Sequence, residues 1–170
     1  MNVRAASWDD DAERISRIDA TYSSDRVLRI DAQDLAFSLH EEAADPPVAR
    51  SHALDEFGES DALFVAEVEG DVVGVGGVRL SSWNRRATVT GLYVSGAFRG
   101  RGVGTALVEA LADWARAIDA HCLWLETQNV NYPAVEFYRR AGFRLCGLDD
   151  RFYDPRVNSG DVALFFARDL

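Results

Sequence analysis

Cysteine is scarce in this chain, and the two that occur are far apart: Cys122 in His-Cys-Leu-Trp-Leu and Cys146 in Arg-Leu-Cys-Gly-Leu. With no Cys-x-x-Cys spacing and no clustered histidines, neither a disulfide nor a metal site is expected, and both thiols read as reduced core residues. Basic side chains are outnumbered, 18 Lys and Arg against 28 Asp and Glu, for a formal charge of −10. Phosphate contact needs basic surface, so general nucleic-acid binding is excluded. No apolar run reaches the roughly 20 residues of a membrane span. Met1 to Asp11 is polar and acidic, where an export signal needs a basic start and an apolar stretch. These absences predict a cytoplasmic protein without a membrane or nucleic-acid partner. The acidity would attract a cationic substrate, and it equally serves solubility.

What is present is globular. Hydrophobic residues make up 48% and charged residues 27%, and 170 residues suffice for one well-buried α/β domain, 1–170, but not for two. Asn2 to Ala6 reads as a strand, followed by a helix capped by Ser7 with Trp8, Ile15 and Ile18 inward. Leu28, Ile30, Ala32, Leu35, Phe37 and Leu39 alternate around the polar stretch Asp31 to Asp34, which predicts a hairpin. Glu41 to Ser60 contains Pro46 and Pro47 and reads as a loop with a short helix. Leu63–Val68 and Val72–Leu80 predict a second hairpin turning at Gly70 and Asp71, and Thr88–Val94 another strand.

Leu107, Leu111, Trp114, Ala115 and Ile118 recur at helical spacing over Thr105–Ile118. Cys122–Thr127 is a strand. A helix begins at Pro133, turns Ala134, Phe137, Tyr138 and Ala141 inward, and ends at Gly142. Phe143–Leu148 and Val162–Phe166 are closing strands. A meander followed by strand, loop, helix, strand, helix and strand implies a mixed sheet.

Arg99-Gly100-Arg101-Gly102-Val103-Gly104-Thr105 lies between a strand and a helix. Backbone N–H groups and the positive helix end then face one way, a nest suited to a pyrophosphate, and Arg99 and Arg101 add local positive charge. The third glycine of a dinucleotide fingerprint is missing, and Thr105 stands where a Walker loop needs lysine. A glycine turn without a ligand is the bland alternative. Arg99, Gly102 and Gly104 satisfy Arg/Gln-x-x-Gly-x-Gly/Ala, and Asn131 to Phe143 (Asn-Tyr-Pro-Ala-Val-Glu-Phe-Tyr-Arg-Arg-Ala-Gly-Phe) satisfies N-x-x-A-x-x-F-Y-x-x-x-G-F. In order and spacing the two motifs resemble the GNAT superfamily of acetyl-CoA-dependent N-acetyltransferases.

That resemblance implies an α/β (α+β) fold, a mixed, mostly antiparallel sheet splayed between the strands ending at Val94 and Thr127 and flanked by helices, with acetyl-CoA as cosubstrate and no metal. It places the diphosphate on Arg99, Gly100, Arg101, Gly102, Val103, Gly104 and Thr105. Pantetheine falls along the backbone of Leu92, Tyr93 and Val94, which also stabilises the oxyanion, and beside Asn131. Tyr138 becomes the acid that protonates the leaving thiolate, against the plain alternative of a core ring with a satisfied hydroxyl.

A lysine-like amine has a pKa of roughly 10.4, so a proton must be removed before attack. Glu126, alternating away from Leu123 and Leu125, is the candidate base. A surface carboxylate at a strand end, or ordered water in place of any single base, is the alternative.

Within the superfamily, Ser82–Arg85, Leu125–Asn131, Gly142-Phe143, Leu148-Asp149, Phe152-Tyr153 and Val162–Phe166 resemble the streptothricin acetyltransferases. Those enzymes acetylate an amine of a cationic antibiotic. Their acidic strand residue is replaced here by Thr90 and Gly91, which puts the acceptor in question. Trp83, Tyr93, Trp124, Glu126 and Tyr153 are candidates to hold a small-molecule amine, the aromatics through cation–π contact, against a plain core role for each. Dimers are common among such proteins, so a homodimer is expected. Peptide N-acetylation and non-catalytic acetyl-CoA binding are the rival readings.

Overall fold

The chain folds into fourteen elements in the computed structural model, which describes residues 1–54, 56–158 and 160–170. In order they are β1 (Asn2–Ala6), α1 (Trp8–Ile15), β2 (Tyr22–Gln33), β3 (Ala36–Arg50), a 3-10 turn (Glu56–Glu59), β4 (Ala62–Val68), β5 (Asp71–Ser81) and β6 (Arg86–Val94). A second 3-10 turn (Gly96–Phe98) leads to α2 (Val103–Ala117), β7 (Cys122–Gln128), α3 (Tyr132–Arg140), β8 (Arg144–Asp149) and β9 (Ala163–Asp169). Two compact units result: Met1–Thr21 with Ser51–Leu125 and Ala167–Leu170, and Tyr22–Arg50 with Glu126–Phe166. The chain passes between them before β2, after β3, within β7 and within β9.

In the first unit β1, β4, β5 and β6 pair antiparallel in that order, and β6 pairs parallel with β7 through Arg86↔Cys122, Ala87↔Leu123 and Thr88↔Trp124. The mixed, mostly antiparallel sheet expected from the motifs is present. Among the described residues the parallel pairing stops at Thr88 and Trp124, while β6 continues to Val94. Ser7 caps α1 by accepting from the Asp10 N–H at 3.2 Å, and Asp9, Asp10 and Asp11 complement the positive helix end. Arg4 grips both oxygens of the nearly buried Asp11 at 2.7 and 3.0 Å and also reaches Glu67, tying α1 to the β1–β4 pair. Helix α2 starts at Val103, two residues before the predicted Thr105, and buries Leu107, Val108, Leu111 and Ala115. Truncating either leucine to alanine would cost about 2–5 kcal/mol.

In the second unit β2 and β3 form the predicted hairpin, but β3 runs to Arg50, so the first half of the segment expected as a loop is strand. The register jumps between Ser24↔Val48 and Arg26↔Ala43, and Pro46 and Pro47 lie in that irregularity, where a missing N–H breaks no ladder bond. The rest of the Glu41–Ser60 reading holds, since the short 3-10 turn at Glu56–Glu59 is there. Strand β9 lies between β7 and β8 in the strand order. Helix α3 turns Val135 and Tyr138 inward, whereas Ala134, Phe137 and Ala141 are only partly buried, a one-residue rotation from the predicted face. Neither cysteine forms a disulfide; Cys122 is buried, but Cys146 is exposed, because β8 leaves Arg144, Leu145 and Cys146 open to solvent.

Candidate active site

At the glycine loop, Gly100 and Gly102 have φ of +72° and +83°, and a Cβ at either would meet open space, so the left-handed backbone is what demands glycine there. Gly102 is the N-cap of α2 and supplies no side chain to it. The first bond of the helix runs from the Ala106 N–H to the Gly102 carbonyl at 3.0 Å, so the N–H groups of Val103, Gly104 and Thr105 precede it. Three aligned donors at the positive end of a fifteen-residue helix form an anion cradle, and the glycines let a diphosphate approach the backbone. The Arg99 Nε–H donates to the Val94 carbonyl at 2.9 Å, which fixes the loop to the end of β6. Arg101 lies over the Phe98 ring at 5.5 Å.

Strand β6 carries a bulge. Gly77 pairs with Gly91 and Val78 with Val89, leaving Thr90 as the extra residue, its hydroxyl 2.7 Å from that of Ser60. A Cβ on Gly91 would lie 2.9 Å from the Phe57 ring, and one on Gly77 2.4 Å from the Thr90 hydroxyl and 2.7 Å from Phe57. The glycines therefore exist to seat Phe57. Tyr93 meets that ring edge-on at 6.0 Å, and His52 lies 5.3 Å from Tyr93. Local packing thus holds Thr90 and Gly91: the Phe57 ring lies against Gly91, and the Thr90 hydroxyl pairs with that of Ser60.

The second unit gathers the polar chemistry. Glu126 and Gln128 lie on the less buried face of β7, two residues apart. The Tyr153 hydroxyl donates to Glu126 Oε1 in a short bond, and the Tyr22 hydroxyl to Gln128 Oε1 at 3.2 Å. Burial pushes the Tyr153 phenol far above its ordinary value, helped by the Glu126 bond, and pushes Tyr22 to about 12 against the opposing charge of Arg50. Tyr138 is buried, its ring 5.7 Å from Phe143, 5.3 Å from Phe137 and 6.3 Å from Phe166. Desolvation, with the Glu126 charge second, keeps its proton on at any physiological pH. Glu126, Tyr138 and Tyr153 are thus brought together.

Not every predicted residue is placed so directly. The Asn131 carboxamide oxygen accepts from the Ala134 N–H at 3.3 Å, capping α3. Trp83 is 85% exposed in the β5–β6 turn, at the opposite end of β6 from the glycine loop. The Trp124 ring is covered by the Arg86 guanidinium at 4.0 Å, so its cation–π partner is its own strand neighbour. Sequence reasoning passed over Tyr22, Gln128, Asp161, Ser60 and Phe57. Of these, Gln128 lies inside the Leu125–Asn131 stretch and Asp161 directly before Val162–Phe166.

The sequence profile of the acetyltransferase (GNAT) family matches residues 26–143, and the chain belongs to that family. It is an acyltransferase by that membership, as the glycine loop and the Asn131–Phe143 motif led one to expect. The chain is 35% identical over 168 residues to the streptothricin acetyltransferase of Streptomyces lavendulae, across 92% of this chain and 89% of that protein. The crystal structure of nourseothricin acetyltransferase matches it with a TM-score of 0.89 and 39% identity, over 99% of this chain and 97% of that one. A Bacillus anthracis str. Ames protein, solved in complex with acetyl coenzyme A, shares the fold with a TM-score of 0.83 at 21% identity, over 99% and 97% of the two chains.

Proposed function

We propose that this acetyltransferase moves the acetyl group of acetyl-CoA to a primary amine of a small cationic molecule of the streptothricin type. The observation that carries the acceptor class is the extent of the likeness. Identity to a streptothricin acetyltransferase runs over 92% of the chain, well beyond the motifs that serve the cofactor. The net charge of −10 suits a cationic acceptor.

Acetyl-CoA, when bound, supplies an acyl group activated as a thioester. The N–H groups of Val103, Gly104 and Thr105, with Arg99 and Arg101, hold its diphosphate. The backbone of Leu92, Tyr93 and Val94 holds the pantetheine arm and donates to the thioester oxygen as charge grows there. Glu126, oriented by the Tyr153 hydroxyl, takes the proton from the acceptor ammonium, and Tyr138, kept protonated by burial, gives one to the departing sulfur.

The test follows free-thiol release from acetyl-CoA with streptothricin, a polyamine panel and lysine-bearing peptides in parallel. All 18 basic side chains are arginine, so no lysine of the chain itself competes as acceptor in the amine-free blank. Turnover with streptothricin and small amines is expected. Turnover with peptides alone, or tight acetyl-CoA binding with none, overturns the reading.

A further inference from the structure

Asp161 is a carboxylate that the scheme above leaves unused. Its side chain is 2% exposed, and its buried Oδ2 has no hydrogen-bond partner. Oδ1 lies 3.8 Å from Arg50 Nη2, which offsets the charge but is beyond hydrogen-bond reach. Leaving a buried acceptor unpaired is costly, so the position calls for a donor that arrives from outside the fold.

Its surroundings suit a cation. Arg50 is the cross-strand partner of Tyr22, and the Tyr22 hydroxyl goes to Gln128, two residues along the same face of β7 from Glu126. Val162, next to Asp161, donates to the Asn129 side chain at 2.8 Å and accepts from the Asn129 N–H at 3.0 Å, which docks the segment beside this stretch of β7. The charge of Asp161 is felt by both the Tyr22 and the Tyr153 hydroxyls. Of the two carboxylates whose charge reaches Tyr153, Glu126 is the one bonded to it.

We propose that Asp161 Oδ2 receives a second, non-reacting cationic group of the acceptor, an ammonium or a guanidinium, while the reacting amine is served by Glu126. The inference rests on the amine-acceptor reading and sharpens it: the preferred acceptors carry at least two positive charges. Arg50, 41% exposed on its side chain, can turn to solvent as the incoming cation takes its place.

The experiment compares the full chain with Asp161→Asn, using streptothricin as acceptor and methylguanidinium as a cation that cannot be acetylated. The KM for streptothricin should rise about 10- to 100-fold, the range of one charge-assisted hydrogen bond. Neither kcat nor the KM for acetyl-CoA should move, and thermal stability should not fall. Methylguanidinium should compete with streptothricin and not with acetyl-CoA in the wild type, and lose that effect in the variant. An unchanged KM, or the absence of competition, overturns the assignment. If Asp161→Asn fails to fold, the wild-type competition pattern decides alone. Failure of the acceptor reading looks different: the wild type then turns over no cationic amine.

Discussion

The Tyr153 hydroxyl is bonded to the Glu126 carboxylate, so a residue from the segment after β8 orients the one acidic side chain on the less buried face of β7. Orientation of a base by a buried phenol predicts a graded pair of variants. Tyr153→Phe should lower kcat about tenfold, and Glu126→Gln about 10²-fold or more. Only the second should flatten the rise of rate with alkaline pH, because it alone removes the proton acceptor. A pH–rate profile of both checks this, and an unaltered Glu126→Gln profile removes Glu126 as base.

Tyr138 separates packing from chemistry. Its ring sits among Phe137, Phe143 and Phe166, so Tyr138→Phe keeps every ring contact and loses only the hydroxyl. The expected result is a fall in kcat of about 10²-fold with acetyl-CoA affinity within twofold of wild type. Burial and the Glu126 charge both raise its pKa, so the wild-type rate should not decline through this group as pH climbs to about 10, the ordinary tyrosine value. Steady-state rates and calorimetric titration of coenzyme A supply both readouts.

At the β6 bulge, Gly91→Ala should destabilise the fold by about 1–3 kcal/mol, since its methyl would lie 2.9 Å from the Phe57 ring. Combining it with Phe57→Leu should cost less than the sum of the single changes. Urea midpoints of the four proteins give the coupling; strict additivity would mean that the ring does not govern the choice of glycine.

Two buried aspartates should pull stability in opposite directions with pH. Asp11 is held below its ordinary 3.8, first by its bonds from Arg4, so its contribution is present above 3.8 and is lost as pH falls through the lowered value. Asp11→Ala should cost ~2 kcal/mol near neutrality, the charged-bond range reduced for the partial exposure of Arg4, and little in strong acid. Asp161 is raised by burial despite Arg50, so its charged form burdens the fold above the raised value and the burden vanishes below 3.8. Asp161→Asn should therefore raise the Tm at neutral pH, with the gain shrinking as pH drops. Melting curves across pH for the two variants test both signs.

Much of this was legible from residues alone because it depends on local chemistry. The cap at Ser7, the glycines before α2 and the period of Leu107 and Leu111 are short-range signals. The strand from Glu41 to Arg50 was not legible, for its polar residues and two prolines carry no apolar period; it exists because β2 pairs with it. Asp161 escaped for a similar reason. In a segment of Asn, Ser and Gly an aspartate reads as a turn residue, and only the return of the chain beside Asn129 and Arg50 buries it. The rotation of α3 onto Val135 was likewise decided by tertiary packing.

The proline pair in β3 has a wider effect. A fifteen-residue extended strand at the edge of a two-stranded sheet would ordinarily present a row of open amides, an invitation for neighbouring molecules to zip on and grow into fibrils. Pro46 and Pro47 take two donors out of that row and the bulge interrupts its course, so the ribbon carries its own guard against self-templating.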